Sequence, residues 1–244
     1  MQALAVIPAR YASTRFPGKP LADKTGKPLI QHVVEQVQHA KRVDRVVVAT
    51  DHAGIFQAVE DFGSEAVMTR EDHPNGSSRI AEAVTNLRTD HELIVNVQGD
   101  EPEIEPDVID ELVLGLARDT TSDMATLYST FAAGEDPSNP NIVKVIKDQL
   151  GRAMYFSRAL IPHDRDGVGV TVFKHPGLYA YRRAFLLQYP TLAPTPLEQA
   201  EQLEQLRVLE HGYKIALIHA IAPHPGIDTP EQYDAFVARW GKAT

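Results

Sequence analysis

The feature that most constrains this chain is a fourfold alternation in its first half. The apolar runs "ALAVIPA", "RVVVATD", "EAVMTR" and "LIVNVQGDEP" alternate with the segments "PLIQHVVEQVQHA", "GIFQAVEDFG", "SSRIAEAVTNL" and "PDVIDELVLGLAR". Near-continuous apolar runs are strands covered on both faces, and the helices between them supply that cover. In "PLIQHVVEQVQHA" the apolar positions Leu29, Ile30, Val33, Val34 and Val37 share one helical face. Gly63 closes the second helix, and Ser77 or Ser78 is the expected N-cap of the third. The order predicts an α/β fold: a mostly parallel, Rossmann-like sheet flanked by helices.

The pattern changes near residue 120. "DMATLYSTF", "NIVKVIKD", "AMYFSR" and "GLYAYRRAFL" read as strands or strand-led segments. "PLEQAEQLEQLRVLEHG" reads as one helix, "KIALIHAI" as a strand and "TPEQYDAFVARW" as a helix capped by Thr229. The expected organisation is an α/β core over 1–125 and a second region over 126–244 that packs over the sheet, forms a dimer face and supplies a second pocket. That boundary is soft: strands of the second region could rejoin the first sheet, and the whole could be one domain.

Composition removes several classes. Cysteine is absent, which excludes disulfides and thiolate metal sites. No run approaches the roughly 20 apolar residues that span a bilayer, so no membrane partner and a cytoplasmic location are expected. The net charge of −9 disfavours nucleic acid as a partner. Any phosphate recognition must be local.

Polar clusters at 8–19, 70–79 and 98–101 each follow a strand. In open α/β sheets ligands bind beyond the carboxyl ends of strands, so the three are expected to converge. The first, "PARYASTRFPGK", sets Arg10, Arg15 and Lys19 in a loop punctuated by Pro8, Pro17, Gly18 and Pro20. It lacks the spacing of a P-loop and of a dinucleotide fingerprint. Its cations can hold a triphosphate and neutralise a departing pyrophosphate, whereas the ordinary alternative is a solvated turn. In the second, Asp100 can hold a hard divalent cation that bridges phosphate oxygens, or simply cap a turn. Asp228, ahead of the last helix, is either a second metal carboxylate or a helix cap. In the third, Gly76 permits close backbone approach, and Ser77, Ser78 and Arg79 open a helix whose free N–H groups suit a base edge or phosphate. A fourth set, Arg158, His175, Tyr179, Glu204, Gln205 and Arg207, has the mixed donors, acceptors and cation that a sugar acid requires. Glu204 and Arg207 could equally be an i,i+3 helix pair.

Taken together, "IPARYASTRFPGKPL", "VATD", "NVQGDEP", "NPNIVKVI", "YFSRALIP", "LEQLRVLEHG" and "GIDTPEQ" resemble the 3-deoxy-manno-octulosonate (Kdo) cytidylyltransferases, in order and over nearly the whole chain. The resemblance implies that CTP and Kdo give CMP-Kdo and pyrophosphate for lipopolysaccharide synthesis, with Mg2+, in a homodimer. It implies that Pro8, Ala9, Arg10, Ser13, Arg15 and Lys19 bind the nucleotide, chiefly its phosphates. Asn75, Gly76, Ser77, Ser78, Arg79 and Gln98 would face cytosine and ribose. Asp100 and Asp228 would bind the metal, and Arg15, Lys19, Asp100 and Asp228 would act in catalysis. Arg158, His175, Tyr179, Glu204 and Gln205 would form the sugar-acid pocket. Pro176, His163, Ser78 and a short segment from Asp166 to Phe173 depart from the family pattern, mostly beside that pocket. The alternatives are another ulosonic acid, such as 8-amino-Kdo or sialic acid, and a nucleotide-sugar-binding module without turnover.

Overall fold

The sheet of this protein, seen in a computed structural model that describes residues 2–12, 15–220 and 226–243, grows outward from its first strand. The strands are β1 (Ala3–Ala9), β2 (Val43–Thr50), β3 (Glu65–Met68), β4 (Leu93–Asn96), β5 (Met124–Thr130), β6 (Lys144–Lys147), β7 (Ala153–Ser157), β8 (Phe173–Lys174), β9 (Tyr179–Arg182) and β10 (Ile215–His219). The helices are α1 (Leu29–Gln38), α2 (Ala53–Asp61), α3 (Gly76–Leu87), α4 (Pro106–Arg118), α5 (Arg183–Gln188), α6 (Pro196–Glu201), α7 (Gln205–Glu210) and α8 (Pro230–Ala243).

The strand order is β3-β2-β1-β4-β9-β5, and β10 pairs with β5. β1 runs parallel to β2 and β4, β2 to β3, and β5 to β10. Only β9 opposes its neighbours in this layer, pairing antiparallel with β4 and β5. The end of β5 also pairs with β8, which leads into the antiparallel set β8-β6-β7. The fold is therefore the mostly parallel, helix-flanked sheet that the alternation predicts.

Period-two alternation along β1 sorts its side chains into two cores. Ala5 and Ile7 join Val33, Val95, Ile109 and Leu112 on one face, while Leu4 and Val6 join Ile80, Ile94, Tyr181 and Leu206 on the other. Fully burying one such aliphatic side chain is worth about 1.5–3 kcal/mol. A third cluster of Leu29, Ile227, Tyr233 and Phe236 docks α8 against the start of α1. That contact delivers the segment before α8 to the ends of β1 and β4.

Three local readings change. The N-cap of α3 is Asn75, not Ser77 or Ser78; its side chain accepts from the Ser78 N–H at 2.9 Å. "GLYAYRRAFL" divides into β9 and α5. The long leucine-bearing stretch breaks at Gln202, which adopts φ 54°. The break has a packing cause: α6 buries no residue, whereas α7 buries Gln205, Leu206, Arg207 and Val208. One straight helix could not keep the first half on the surface and turn the second half into the core.

Candidate active site

β1 lies between β2 and β4. The chain runs from β1 out through β2 to β3 and then returns to β4 on the other side of β1, and the crevice beyond the ends of β1 and β4 is where such sheets bind ligands. Pro8, Ala9, Arg10, Ala12, Lys19, Pro20, Gln98, Gly99 and Asp100 line a cavity of about 160 Å³ there. Gly99 is required for the close approach, because a Cβ at that position would lie 2.9 Å from the Pro8 carbonyl oxygen. Gly18, at φ 69°, reverses the cationic loop, and its N–H donates to the Tyr11 carbonyl at 3.1 Å. The chain thereby returns Lys19 to the crevice.

Lys19 is the hub. Its Nζ donates to Asp100 Oδ2 and to the Ile227 carbonyl, both at 2.7 Å, and lies 3.6 Å from Asp228 Oδ1. Arg15 Nη2 approaches the same Asp228 oxygen at 3.0 Å. The capping duty ahead of α8 falls on other groups. Thr229 Oγ1 accepts from the Gln232 N–H at 3.4 Å, and Gln232 Oε1 accepts from the N–H groups of Asp228 and Thr229. The Asp228 carboxylate is left to face the cations. Arg10 is exposed on the same loop, and Ser13 lies outside the described residues.

Asp100 and Asp228 offer hard carboxylate oxygens at partly open positions, with side-chain exposures of 27% and 41%. Magnesium characteristically takes one or two protein carboxylates and completes its shell with phosphate and water. The donor set fits that use. Among the described residues no group of three or more His, Cys, Asp or Glu could hold a metal unaided, so phosphate oxygens would have to contribute.

The third sequence cluster arrives at the same place through α3. A Cβ on Gly76 would sit 3.9 Å from Pro8 Cγ and from Asn96 Nδ2, so the helix start abuts the end of β1. The Asn75 amide also donates to the Tyr189 hydroxyl at 3.3 Å, and Ser77 Oγ lies 2.9 Å from the Tyr181 hydroxyl. Arg79 is wholly buried: its guanidinium donates to Thr69 Oγ1 at 2.6 Å and to the Asp51 carboxylate. It ties α3 to the end of β2. What the turn presents outward is its backbone.

A larger cavity, about 500 Å³, shares Gln98 and Asp100 with the first and also includes Glu101, Asn141, Lys174, His175, Gly177 and Asp228. Gln98 Nε2 donates to the Gly177 carbonyl at 3.2 Å. Pro176 shapes this corner, since its carbonyl accepts from the Leu178 N–H at 3.0 Å. His175 packs on Phe156 and Tyr179, and its Nε2 lies 2.9 Å from Thr126 Oγ1. Burial pushes the His175 imidazolium down to about 3, so the ring is neutral at pH 7. Burial, helped by the Asp100 charge, pushes the Glu101 carboxyl up to about 8.

Tyr179 donates to Gln205 Oε1 at 3.4 Å, which joins His175 and Tyr179 to α7. Burial raises the Glu204 carboxyl above its ordinary range, with Ser77 and Arg207 offsetting part of the shift. The buried atoms Glu204 Oε2, Gln205 Nε2, Asn96 Oδ1 and Asn96 Nδ2 have no hydrogen-bond partner in the protein. Glu204 also lines a third cavity of about 350 Å³ with Asn75, Leu203 and Arg207. Of the five expected sugar-acid residues the structure thus joins four. Arg158 stands apart. Its guanidinium donates to the carbonyls of Glu201 at 2.8 Å, Pro140 at 3.1 Å and Gln202 at 3.5 Å.

Glu101 entered only as a member of the 98–101 cluster, and Lys174, Asn141 and Asn96 carried no site expectation from sequence. Glu101 and Asn96 lie in "VNVQGDEP", Asn141 in "NPNIVKVI", and Lys174 directly precedes His175. Neighbourhood to a motif was the only signal they carried.

A family model described as cytidylyltransferase matches residues 4–215. A protein of Geobacter metallireducens named 3-deoxy-manno-octulosonate cytidylyltransferase is 46% identical over 98% of each chain. One of the same name from Pseudoalteromonas translucida is 50% identical over 95% of this chain and 94% of its own. Among solved structures, a CMP:2-keto-3-deoxy-manno-octonic acid synthetase complexed with CTP superposes with a TM-score of 0.94, at 41% identity, over 100% of both chains. A cytidylyltransferase from Leptospira borgpetersenii shares the fold at 16% identity and a TM-score of 0.63.

Proposed function

We propose that this chain, which belongs to the cytidylyltransferase family, transfers the cytidylyl group of CTP to Kdo and releases pyrophosphate. One observation carries the reading. The cation-and-carboxylate knot around Lys19 and the larger polar cavity meet at Asp100 and Gln98. A polyanion held on one side and a polyol held on the other would come together at that wall.

The sugar's anomeric hydroxyl is the nucleophile. Its oxygen forms a bond to the α-phosphorus, the bond to the bridging oxygen of the β-phosphate breaks, and the hydroxyl proton leaves to solvent. The protein supplies placement and charge compensation rather than a covalent group. Arg10, Arg15 and Lys19 hold the triphosphate, and Lys19 and Arg15 take up charge as pyrophosphate departs. Asp100 and Asp228 would hold magnesium, which supplies neutralisation of phosphate oxygens and a lowered hydroxyl pKa. The backbone turn Asn75–Ser78, with Gln98, faces base and ribose, while buried Arg79 keeps that turn in place. His175, Tyr179, Glu204 and Gln205 receive sugar hydroxyls. Arg158, committed to three carbonyls, orders the chain around them.

The assembly we propose is a homodimer. Leu150, Met154 and Leu160 are 73%, 62% and 50% exposed around β7, which pairs with β6 alone among the described strands. An apolar sheet edge of this kind is a surface that needs a partner. A cytoplasmic setting fits a reaction that consumes CTP; no helix among the described residues is long and apolar enough to cross a membrane.

The deciding experiment is pyrophosphate release from CTP with Kdo, 8-amino-Kdo and sialic acid side by side, with UTP as the base control. Fastest turnover of CTP with Kdo is expected. Faster turnover of sialic acid would overturn the sugar, and equal use of UTP would overturn the base.

A further inference from the structure

A sugar acid brings a carboxylate as well as hydroxyls, and Arg158 does not reach the cavity to meet it. Among the described residues lining that cavity, Lys174 is the sole lysine or arginine, in a lining that also includes Asp100, Glu101, Glu135 and Asp228. The backbone holds it firmly. β8 is two residues long and wedged between β5 and β6, with Lys174 registered against Ser129 and Lys144. Its ammonium meets both oxygens of the Glu135 carboxylate, at 2.7 and 2.5 Å. The lysine side chain is 11% exposed and the glutamate 33%, so the carboxylate forms the outer half of the pair.

We infer that Lys174 is the anchor for the substrate's carboxylate, and that Glu135 occupies the anchor as an internal surrogate until substrate arrives. The inference rests on the reading of the site as one for an ulosonic acid. In such a sugar the carboxylate is bonded to the anomeric carbon whose hydroxyl attacks phosphorus. A carboxylate anchor must therefore share a wall with the phosphate site, and Lys174 shares this cavity with Asp100 and Asp228. An ammonium that already donates to both oxygens of a carboxylate has the charge and the desolvation suited to exchanging one carboxylate for another. Glu135 competes with the substrate, so it lowers apparent affinity while keeping the buried cation paired in the empty protein.

Steady-state kinetics and calorimetric titration of the sugar acid, in the presence of a non-transferable CTP analogue, test the exchange. Lys174→Met should raise KM and Kd for Kdo by about 10- to 100-fold, the range for a lost hydrogen bond to a charged group, and leave KM for CTP unchanged. Lys174→Arg should restore most of the affinity. Glu135→Gln should tighten Kdo binding by about two- to ten-fold, because the competing carboxylate is gone. With a Kdo analogue reduced to the alcohol at its carboxylate carbon, wild type and Lys174→Met should bind alike. Kdo affinity unchanged in Lys174→Met, or weakened in Glu135→Gln with the fold intact, overturns the inference. If wild type itself releases no pyrophosphate with Kdo, the reading of the reaction fails instead.

Discussion

The two halves of the site solve opposite problems. At the end of β1 the groups are charged, and they are already paired: Lys19 with Asp100, Arg15 with Asp228. Around α7 the groups are enclosed, largely uncharged or raised in pKa, and several are unpaired: Gln205 Nε2, Glu204 Oε2 and both amide atoms of Asn96. Charged groups in a crevice can compensate one another until a polyanion arrives. Unpaired buried hydrogen-bonding groups carry a standing cost of about 1–3 kcal/mol each, relieved when a hydroxyl docks. The first half is built to manage charge and the second to check the shape and polarity of a polyol. Perturbing the first should therefore change kcat, and perturbing the second should change KM for one substrate.

The largest effect should come from the carboxylates. Asp100→Asn and Asp228→Asn should each lower kcat by roughly 10²–10³, as loss of one electrostatic contact to a transition state does, while circular dichroism stays native. A near-wild-type rate for Asp228→Asn would reduce that residue to a neighbour of the helix cap and erase the contrast. Lys19→Met should follow, with a fall in kcat of about 10²-fold that exceeds any rise in KM for CTP. A change confined to KM would make Lys19 a ground-state tether, more like the polyol half than its opposite.

Gln205→Ala should act on the other half alone. KM for the sugar should rise by about ten-fold, the cost of one hydrogen bond to a buried partner, with KM for CTP within error of wild type. Equal changes in both would show that the halves are mechanically one. A further expected effect is on stability. The folded His175 imidazolium, pushed down to about 3, titrates below its unfolded value near 6.5. The unfolded chain then binds the extra proton between those values. The contribution is whole above about pH 6.5 and is lost as pH falls toward 3. His175→Gln should flatten that part of the acid limb in urea denaturation across pH 3–7. An unchanged limb would mean that the ring is open to water.

The sequence by itself determined the layer architecture, because continuous apolar runs alternating with helical periods leave a parallel sheet with covered faces as the stable solution. It also placed Arg10, Gln98 and Asp100 just after strands, since position after a strand is local information. The tertiary structure decided what no local pattern encodes. Asp228 reaches Lys19 because Ile227, Tyr233 and Phe236 dock beside Leu29, a packing event between opposite ends of the chain. Arg79 turned inward to Asp51, and Arg158 to three carbonyls, because a cation near a cavity goes where its donors find acceptors. Lys174 gained its place from the pairing of a two-residue strand that is too short to leave a periodic signature. Periodicity reports which face of an element is buried. Which side chains meet across the crevice depends on contacts distant in sequence, and those are fixed only when the sheet and helices have packed.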